Sequence, residues 1–290
     1  MLVIKGTYRI VDSQPDGDTV HFTPQDPGFW HDVPGGRRVK RNSTGGGTVR
    51  MDAIDALETH YTGVGPGTLH QPLDLGAHAA RDELIAWLGF TGVVRNADEK
   101  VTASTPETVP GYVLAAGADV HGRAIALVGR GKPPAGTRSG ERITVGVELL
   151  RETANHHLLA RGLVYPTFYS SLPEVLRAEL ATVARQARVA KAPGGVWQHD
   201  VTTDGAKVSG LASITDQQVM LPKLFRRLAD YLRLFGPALD SFPAYLAGES
   251  EEFRVPEQRA AVRGLQHLVE VSGDTVRMTR PIEDVVLVEK

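Results

Sequence analysis

The chain has 290 residues, a formal net charge of −2, a hydrophobic fraction of 41% and a charged fraction of 23%, the balance of a globular protein long enough to bury a core without covalent staples. It contains no cysteine, which excludes disulfides, thiolate zinc sites and cysteine nucleophiles and leaves oxygen ligands or histidine for any metal. No apolar run approaches the roughly 18 residues needed to cross a bilayer, and the near-neutral balance means that a nucleic-acid partner has to be met by a local basic patch.

The opening Met1-Leu2-Val3-Ile4-Lys5-Gly6 lacks the pattern of a signal peptide, so a cytoplasmic protein is expected. Residues 8–11 and 19–22 read as strands joined by the turn formers Pro15-Asp16-Gly17. Residues 23–47, rich in Gly and Pro and without periodicity, read as a long loop, and residues 48–54 as the next strand. After a second loop over 59–73, the spacing of Ala77, Ala80, Leu84, Trp87 and Leu88 predicts a helix over 77–88, stopped by Gly89.

Two strands follow, over 111–116 and 123–128, with 119–122 as their turn. Residues 145–159 read as helical. Ser171-Leu172-Pro173-Glu174 has the spacing of a capping box opening a helix to about residue 188. Residues 201–213 read as a linker. Leu221, Leu224, Phe225, Leu228, Leu232 and Phe235 predict an amphipathic helix over 221–235, residues 259–268 a further helix, and the tail around Gly273-Asp274 a terminal hairpin. The order predicts an α+β protein, a small closed β-barrel decorated by about three helices, with domains over 1–204 and 205–290; the second is expected to be mainly helical.

Charge gathers in three segments beside predicted strands: Asp16-Gly17-Asp18-Thr19-Val20; the run from Val49-Arg50 through Asp52, Asp55-Ala56 and Leu57-Glu58; and Asp119-Val120-His121-Gly122-Arg123. Each alone has an ordinary reading as a turn or a solvated strand edge. Together they suit phosphoryl transfer, where carboxylates hold a hard divalent cation, a further carboxylate orients water, and arginine forks grip phosphate oxygens.

In their order and spacing these segments resemble the thermonuclease, or staphylococcal-nuclease-like, family. Gln71-Pro72-Leu73 with the helix from Ala77, the stretch containing Leu158-Leu159-Ala160-Arg161-Gly162-Leu163, and Gly195-Val196-Trp197 extend the resemblance over residues 5–200. It implies a five-stranded OB-fold barrel and a calcium-dependent nuclease that leaves 3′-phosphate and 5′-hydroxyl ends on DNA or RNA. It implies Asp18, Asp55 and the backbone carbonyl of Ala56 as metal ligands, Glu58 as general base, and Arg50 and Arg123 as the phosphate-binding arginines. Asp16 falls near the metal and His121 near the Arg123 turn. Leu57 stands where the family usually has proline.

The competing reading is a catalytically silent module that binds nucleic acid or protein on the same fold. A histidine metal site is disfavoured, because the adjacent His156 and His157 lack the i, i+4 spacing of a zinc helix. Asp52, on the strand face of Arg50, is a candidate partner for an arginine. Residues 214–290 resemble no family. Lys223, Arg226, Arg227 and Arg233 read either as a solvated helix face or as a surface for a phosphate backbone. Strand preference and oligomeric state stay open, and residues 205–290 are a candidate restraint on an active site.

Overall fold

The computed structural model describes residues 1–256 and 260–289. In chain order the first elements are β1 (Leu2–Arg9), β2 (Thr19–Pro24), β3 (Gly47–Met51), β4 (Ile54–Asp55), α1 (Ala77–Leu88), β5 (Thr91–Arg95), β6 (Val101–Thr105), β7 (Thr108–Ala118) and β8 (Ala124–Arg130). Then come α2 (Val147–Arg151), α3 (Ala154–Ala160), β9 (Tyr165–Pro166), β10 (Phe168–Tyr169), α4 (Glu174–Ala190), β11 (Ala206–Lys207) and α5 (Pro222–Phe235). The chain closes with α6 (Phe242–Gly248), β12 (Glu252–Arg254), β13 (Val262–Arg263), β14 (Val269–Ser272), β15 (Thr275–Met278) and β16 (Val286–Leu287). These form two compact units, one of Met1–Asp52 and Arg81–Leu158, the other of Ala53–Ala80 and Leu159–Lys290.

The first unit holds a closed, mixed five-stranded barrel in the order β1-β2-β3-β8-β7, with β7 returning to pair with β1. Neighbours are antiparallel except β3 and β8, which run parallel. Alternation explains the inside: Val20 and Phe22 of β2 and Val49 and Met51 of β3 are buried, so Arg50 points the other way. Tyr8 fills the barrel and donates its hydroxyl to the carbonyls of Tyr112 (2.6 Å) and Gly129 (2.9 Å). Its ring lies over Gly111, where a Cβ would come within 2.2 Å of it, so this close approach needs glycine.

Residues 23–47 carry more structure than the absence of periodicity predicts. Two 3₁₀ turns, Pro27–Asp32 and Gly36–Arg38, wrap a fully buried Trp30 whose indole N–H donates to Gly45 O at 3.0 Å. The β5–β6 hairpin is absent from the sequence-based expectation; its residues are mostly exposed, so no apolar alternation marks it. The helical stretch 145–159 is two helices, broken at Thr153, whose side chain turns back to Leu150 O.

Asn155, on α3, is fully buried and closes the end of β3. Its Nδ2 donates to Asp52 O (2.8 Å) and its Oδ1 accepts from Val128 N–H (2.9 Å). Replacing it with alanine strands these buried backbone groups, each worth roughly 1–3 kcal/mol. Asn155→Ala is therefore expected to destabilise by about 3 kcal/mol in a urea melt.

The second unit has a continuous core that includes Leu57, Tyr165, Val196, Trp197, Leu221, Phe225 and Leu228. Its sheets are β10-β16-β12-β13, β11-β15-β14 and β4-β9. The predicted linker is part of this core, since Ala206 and Val208 are buried among it and β11 pairs with β15. The terminal hairpin is present as β14–β15 around Gly273. Arg259 lies outside the described residues, and 260–268 form β13 and a 3₁₀ turn rather than a helix. The capping box is not made: Pro173 occupies the N-cap, while Ser170 Oγ and the Ser171 N–H donate to the Glu289 carboxylate.

Helix α5 is a staple. Lys223 meets Glu251 at 2.6 Å, Arg227 meets Glu249 (2.8 Å) and Glu251 (3.1 Å), and Arg233 donates to the carbonyls of Val64 and Pro66. Asp230 accepts from the Tyr61 hydroxyl (2.7 Å) and the Val64 N–H (2.9 Å), tying down the loop over 59–71. Neither reading of this helix as a solvated face or a phosphate surface describes it, because its cations are used internally.

Burial would raise the Glu251 pKa, but Lys223 and Arg227 outweigh it and hold it below 4.5, its ordinary value. A depressed folded pKa means stabilisation that is complete above the unfolded value and lost as pH falls through the folded one. Asp200 and Glu283 are pushed the opposite way by burial, so the whole-protein acid limb is a sum. The wild-type advantage over Glu251→Gln isolates the share of Glu251; it is expected to shrink steadily below about pH 4.5 in urea melts.

Candidate functional site

Asp16, Asp18, Arg50, His121 and Arg123 belong to the first unit, and Asp55, Ala56 and Glu58 to the second. Asp18 sits at the mouth of β2, fixed by its carbonyl accepting the Met51 N–H at 2.8 Å. The β2–β3 register sets Thr19 opposite Arg50, and the Arg50 guanidinium pairs with the Asp18 carboxylate. Asp18 is also met by the Thr19 hydroxyl (3.1 Å), and Asp16 Oδ1 receives the Asp18 N–H weakly at 3.4 Å. Asp18 and Arg50, separated by the long insertion, are thus brought together by one strand pairing.

Arg123 stands at the entrance to β8, after the tight turn at Gly122. Asp119 organises that turn. Its Oδ1 accepts the N–H groups of His121 (2.9 Å) and Arg123 (2.8 Å), and its Oδ2 holds Arg123 Nε at 2.7 Å. Burial pulls the Asp119 pKa up, but the Arg123 N–H and guanidinium bring it below the usual aspartate value. Asp119 therefore positions Arg123, a role for which the Asp-x-x-Gly-Arg turn is the available signal. His121 is exposed at the tip.

In the second unit, Asp55 lies on β4 opposite Tyr165 of β9. Ala53, with φ 67°, makes the sharp turn that starts this strand, and its carbonyl accepts from Thr167 N–H. Ala56 is buried beside Asp55. Gln71 brackets Glu58 from both sides: its Oε1 accepts the Glu58 N–H (3.2 Å), and its own N–H donates to Glu58 O (2.8 Å). Its Nε2 reaches Met220 O at 2.7 Å. Leu57 is buried in the core. The rigidity that a proline would have supplied before Glu58 comes here from Leu57 packing and Gln71.

The decisive geometry of this unit is Arg226. Its Nη2 lies 2.9 Å from Asp55 Oδ2, and its Nη1 lies 3.3 Å from Asp55 Oδ1 and 2.5 Å from Glu58 Oε1. Asp55 is only 1% exposed at its side chain, against 17% for Glu58 and 27% for Arg226. Burial alone would lower the Arg226 pKa; the two carboxylates outweigh it and hold the guanidinium charged well above its ordinary range. Two desolvated carboxylates facing one another repel unless one carries a proton or a cation lies between them, and here the Arg226 guanidinium of α5 is that cation.

No family model matches the chain, and no curated protein matches it.

Among the described residues no three His, Asp or Glu side chains converge as a metal-holding group. Asp55 and Glu58 nonetheless present oxygen atoms to one cation, and oxygen is the donor that a hard divalent ion would take. Sequence reasoning misses Arg226 because a basic residue flanking an apolar helical stripe reads as solvated. The weak signal is the row Lys223, Arg226, Arg227, Asp230 and Arg233, in which an acid at helical spacing interrupts the cations.

Proposed function

We propose that the chain is a metal-dependent nuclease that hydrolyses phosphodiester bonds, built on an OB-type barrel. The observation that carries the reading is the convergence of the Asp55 and Glu58 carboxylates on a single cation position in one unit, in a chain whose barrel unit assembles the Asp18–Arg50 pair. The reading assigns residues of both units to one reaction on the strength of their sequence order.

Asp18, Asp55 and the Ala56 carbonyl would hold calcium or another hard divalent cation. Bound there, the ion would neutralise phosphate charge and lower the cost of the charge that develops in the transition state. Glu58 orients the attacking water and takes its proton as the water oxygen bonds to phosphorus. Arg50 and Arg123 grip the non-bridging oxygens by fork-like hydrogen bonds. The bond from phosphorus to the 5′ oxygen breaks, that oxygen acquires a proton, and a 3′-phosphate remains. DNA or RNA is the substrate class. Among the described residues no helix is long and apolar enough to cross a membrane.

A second reading has a specific observation in its favour. Arg226 already satisfies Asp55 and Glu58, as expected if these carboxylates hold the fold together and the chain binds nucleic acid without cutting it. Cleavage of plasmid and of single-stranded substrates, with calcium, with magnesium and with chelator, separates the two. The enzyme reading expects metal-dependent cutting, reduced about 10²–10³-fold by Arg123→Ala. Binding with no cleavage under any metal would leave the silent module.

A further inference from the structure

We propose that the segment over residues 36–41, in the insertion between β2 and β3, is the surface on which a polynucleotide backbone lies. The chain as a whole carries no excess of positive charge, so a polyanion needs a local patch. The basic helix α5 cannot supply it, because Lys223, Arg226 and Arg227 are engaged by carboxylates and Arg233 by backbone carbonyls. The insertion differs. Arg37, Arg38, Lys40 and Arg41 are all exposed, and among the described residues Arg37, Arg38 and Lys40 pair with no carboxylate.

The patch is built rather than loose. Val33 and Val39 turn inward with Trp30, which forces their charged neighbours outward. The Lys40 N–H donates to Gly122 O at 2.9 Å, seating the segment on the β7–β8 turn. A Cβ at Gly122, whose φ is 90°, would come within 2.6 Å of Lys40 Cγ and 2.9 Å of Arg38 O, so glycine is required for the two to meet. The turn carries Arg123 and the exposed His121, and Arg41 Nη2 lies 2.9 Å from His31 Nε2. Within the first unit, the Lys40 side chain and the Arg38 backbone thus lie against the turn that carries Arg123, whose guanidinium is held by Asp119, and the exposed Arg37 and Arg41 flank them in sequence.

Arginine-rich, with its apolar residues turned inward, this surface matches the phosphodiester chain of a nucleic acid better than a lipid surface. The exposed Val120 is a single apolar side chain, too little to anchor a membrane. The proposal rests on the nuclease reading only in taking a nucleic acid as the partner, and its test needs no turnover.

The experiment measures fluorescence anisotropy of labelled single-stranded DNA of about 20 nucleotides, a length that spans several phosphate contacts, in chelator, titrated with the full chain over a range of potassium chloride. The triple variant Arg37→Gln/Arg38→Gln/Lys40→Gln is expected to bind at least roughly tenfold more weakly at low salt. The slope of log affinity against log salt is expected to fall by about 2, as for three lost phosphate contacts. Arg37→Lys/Arg38→Lys is expected to keep most of the binding. The control variant Lys132→Gln/Lys191→Gln/Lys207→Gln makes the same charge change at exposed positions elsewhere and is expected to bind like wild type.

Equal losses in both triple variants, or no loss in the first, would overturn the patch. So would wild-type binding to anionic phosphatidylserine vesicles in preference to DNA. If the first variant loses metal-dependent cleavage of long DNA but not of a dinucleotide ester, patch and enzyme both stand. Patch-dependent binding without cleavage under any metal retains the patch and removes the enzyme. Normal binding and cleavage by the first variant does the reverse.

Discussion

Arg226→Ala is expected to destabilise the protein by about 3 kcal/mol and, at the same time, to make its melting temperature depend on calcium. Removing one member of a buried ion pair costs about 3–5 kcal/mol, chiefly because the partner is left buried and unpaired. The lower figure applies because the Arg226 side chain is 27% exposed. Asp55, at 1%, has no such relief, and Glu58 is left beside it as a second negative charge. For a chain of this size that loss corresponds to a fall of roughly 6–12 °C in melting temperature. What remains in the variant is a pair of desolvated carboxylates, between which a hard divalent cation can bind with its own waters. Calcium at about 100 times its dissociation constant would then return about 2.7 kcal/mol. Wild type, with the position taken by the guanidinium, is expected to gain much less. The check is thermal melting of both proteins in chelator and in millimolar calcium. If Arg226→Ala melts early and calcium stabilises neither protein, Asp55 and Glu58 are a structural pair and the silent module is favoured.

The same geometry determines how any restraint by the C-terminal region has to be tested. Truncation at residue 205 would remove Leu221, Phe225 and Leu228, against which Leu57 and Trp197 are buried. It would expose the core that holds Glu58 in place, so a gain of activity is not expected from it. A point substitution at Arg226 leaves that core intact and frees the same carboxylates.

How far such features are legible depends on the distance over which they are determined. The β1–β2 pairing, α1, α5 and the terminal hairpin announce themselves through local alternation, helical spacing and turn residues, and all are present, although β1 covers Leu2–Arg9 and not the expected residues 8–11. The barrel follows from the short strands, and its closure by β1 against β7 is a consequence of their number and twist. The β5–β6 hairpin is silent because its residues are mostly exposed and bury no regular apolar face. The buried residues over 206–214 are silent because polar residues separate them and their partners lie far along the chain. The site divides in the same way. Asp18 and Arg50 are readable from motif and pairing, whereas the engagement of Asp55 by Arg226 spans 171 positions, and nothing local to either residue announces it. Asp119 lies in between: its turn is readable, and its grip on Arg123 is not.

Glu58→Gln is expected to lower turnover by about 10²–10⁴-fold while leaving DNA affinity in chelator unchanged. General-base catalysis contributes roughly that factor, and the amide keeps the shape while losing the ability to accept the water's proton. The structural cost is separable. The amide side chain at this position would still be framed by Gln71 through backbone groups, whose bonds at 3.2 and 2.8 Å do not involve the Glu58 carboxylate. Asp55 would still be paired with Arg226 at 2.9 Å. The loss is therefore one charged hydrogen bond, about 1.5–3 kcal/mol at most, no more than the cost expected for Arg226→Ala. A purely structural role for Glu58 makes the opposite forecast: stability falls, and any cleavage tracks the folded fraction. Single-turnover cleavage at a temperature where both proteins are fully folded, with melting curves on the same preparations, distinguishes the two. The Arg226→Ala background adds a further contrast. There, Glu58→Gln is expected to raise stability in chelator, because it removes one of two facing charges, and to weaken the stabilisation by calcium. A catalytic Glu58 held by a displaceable cation requires the turnover loss to persist in both backgrounds; recovery of turnover in the double variant would remove Glu58 from the chemistry.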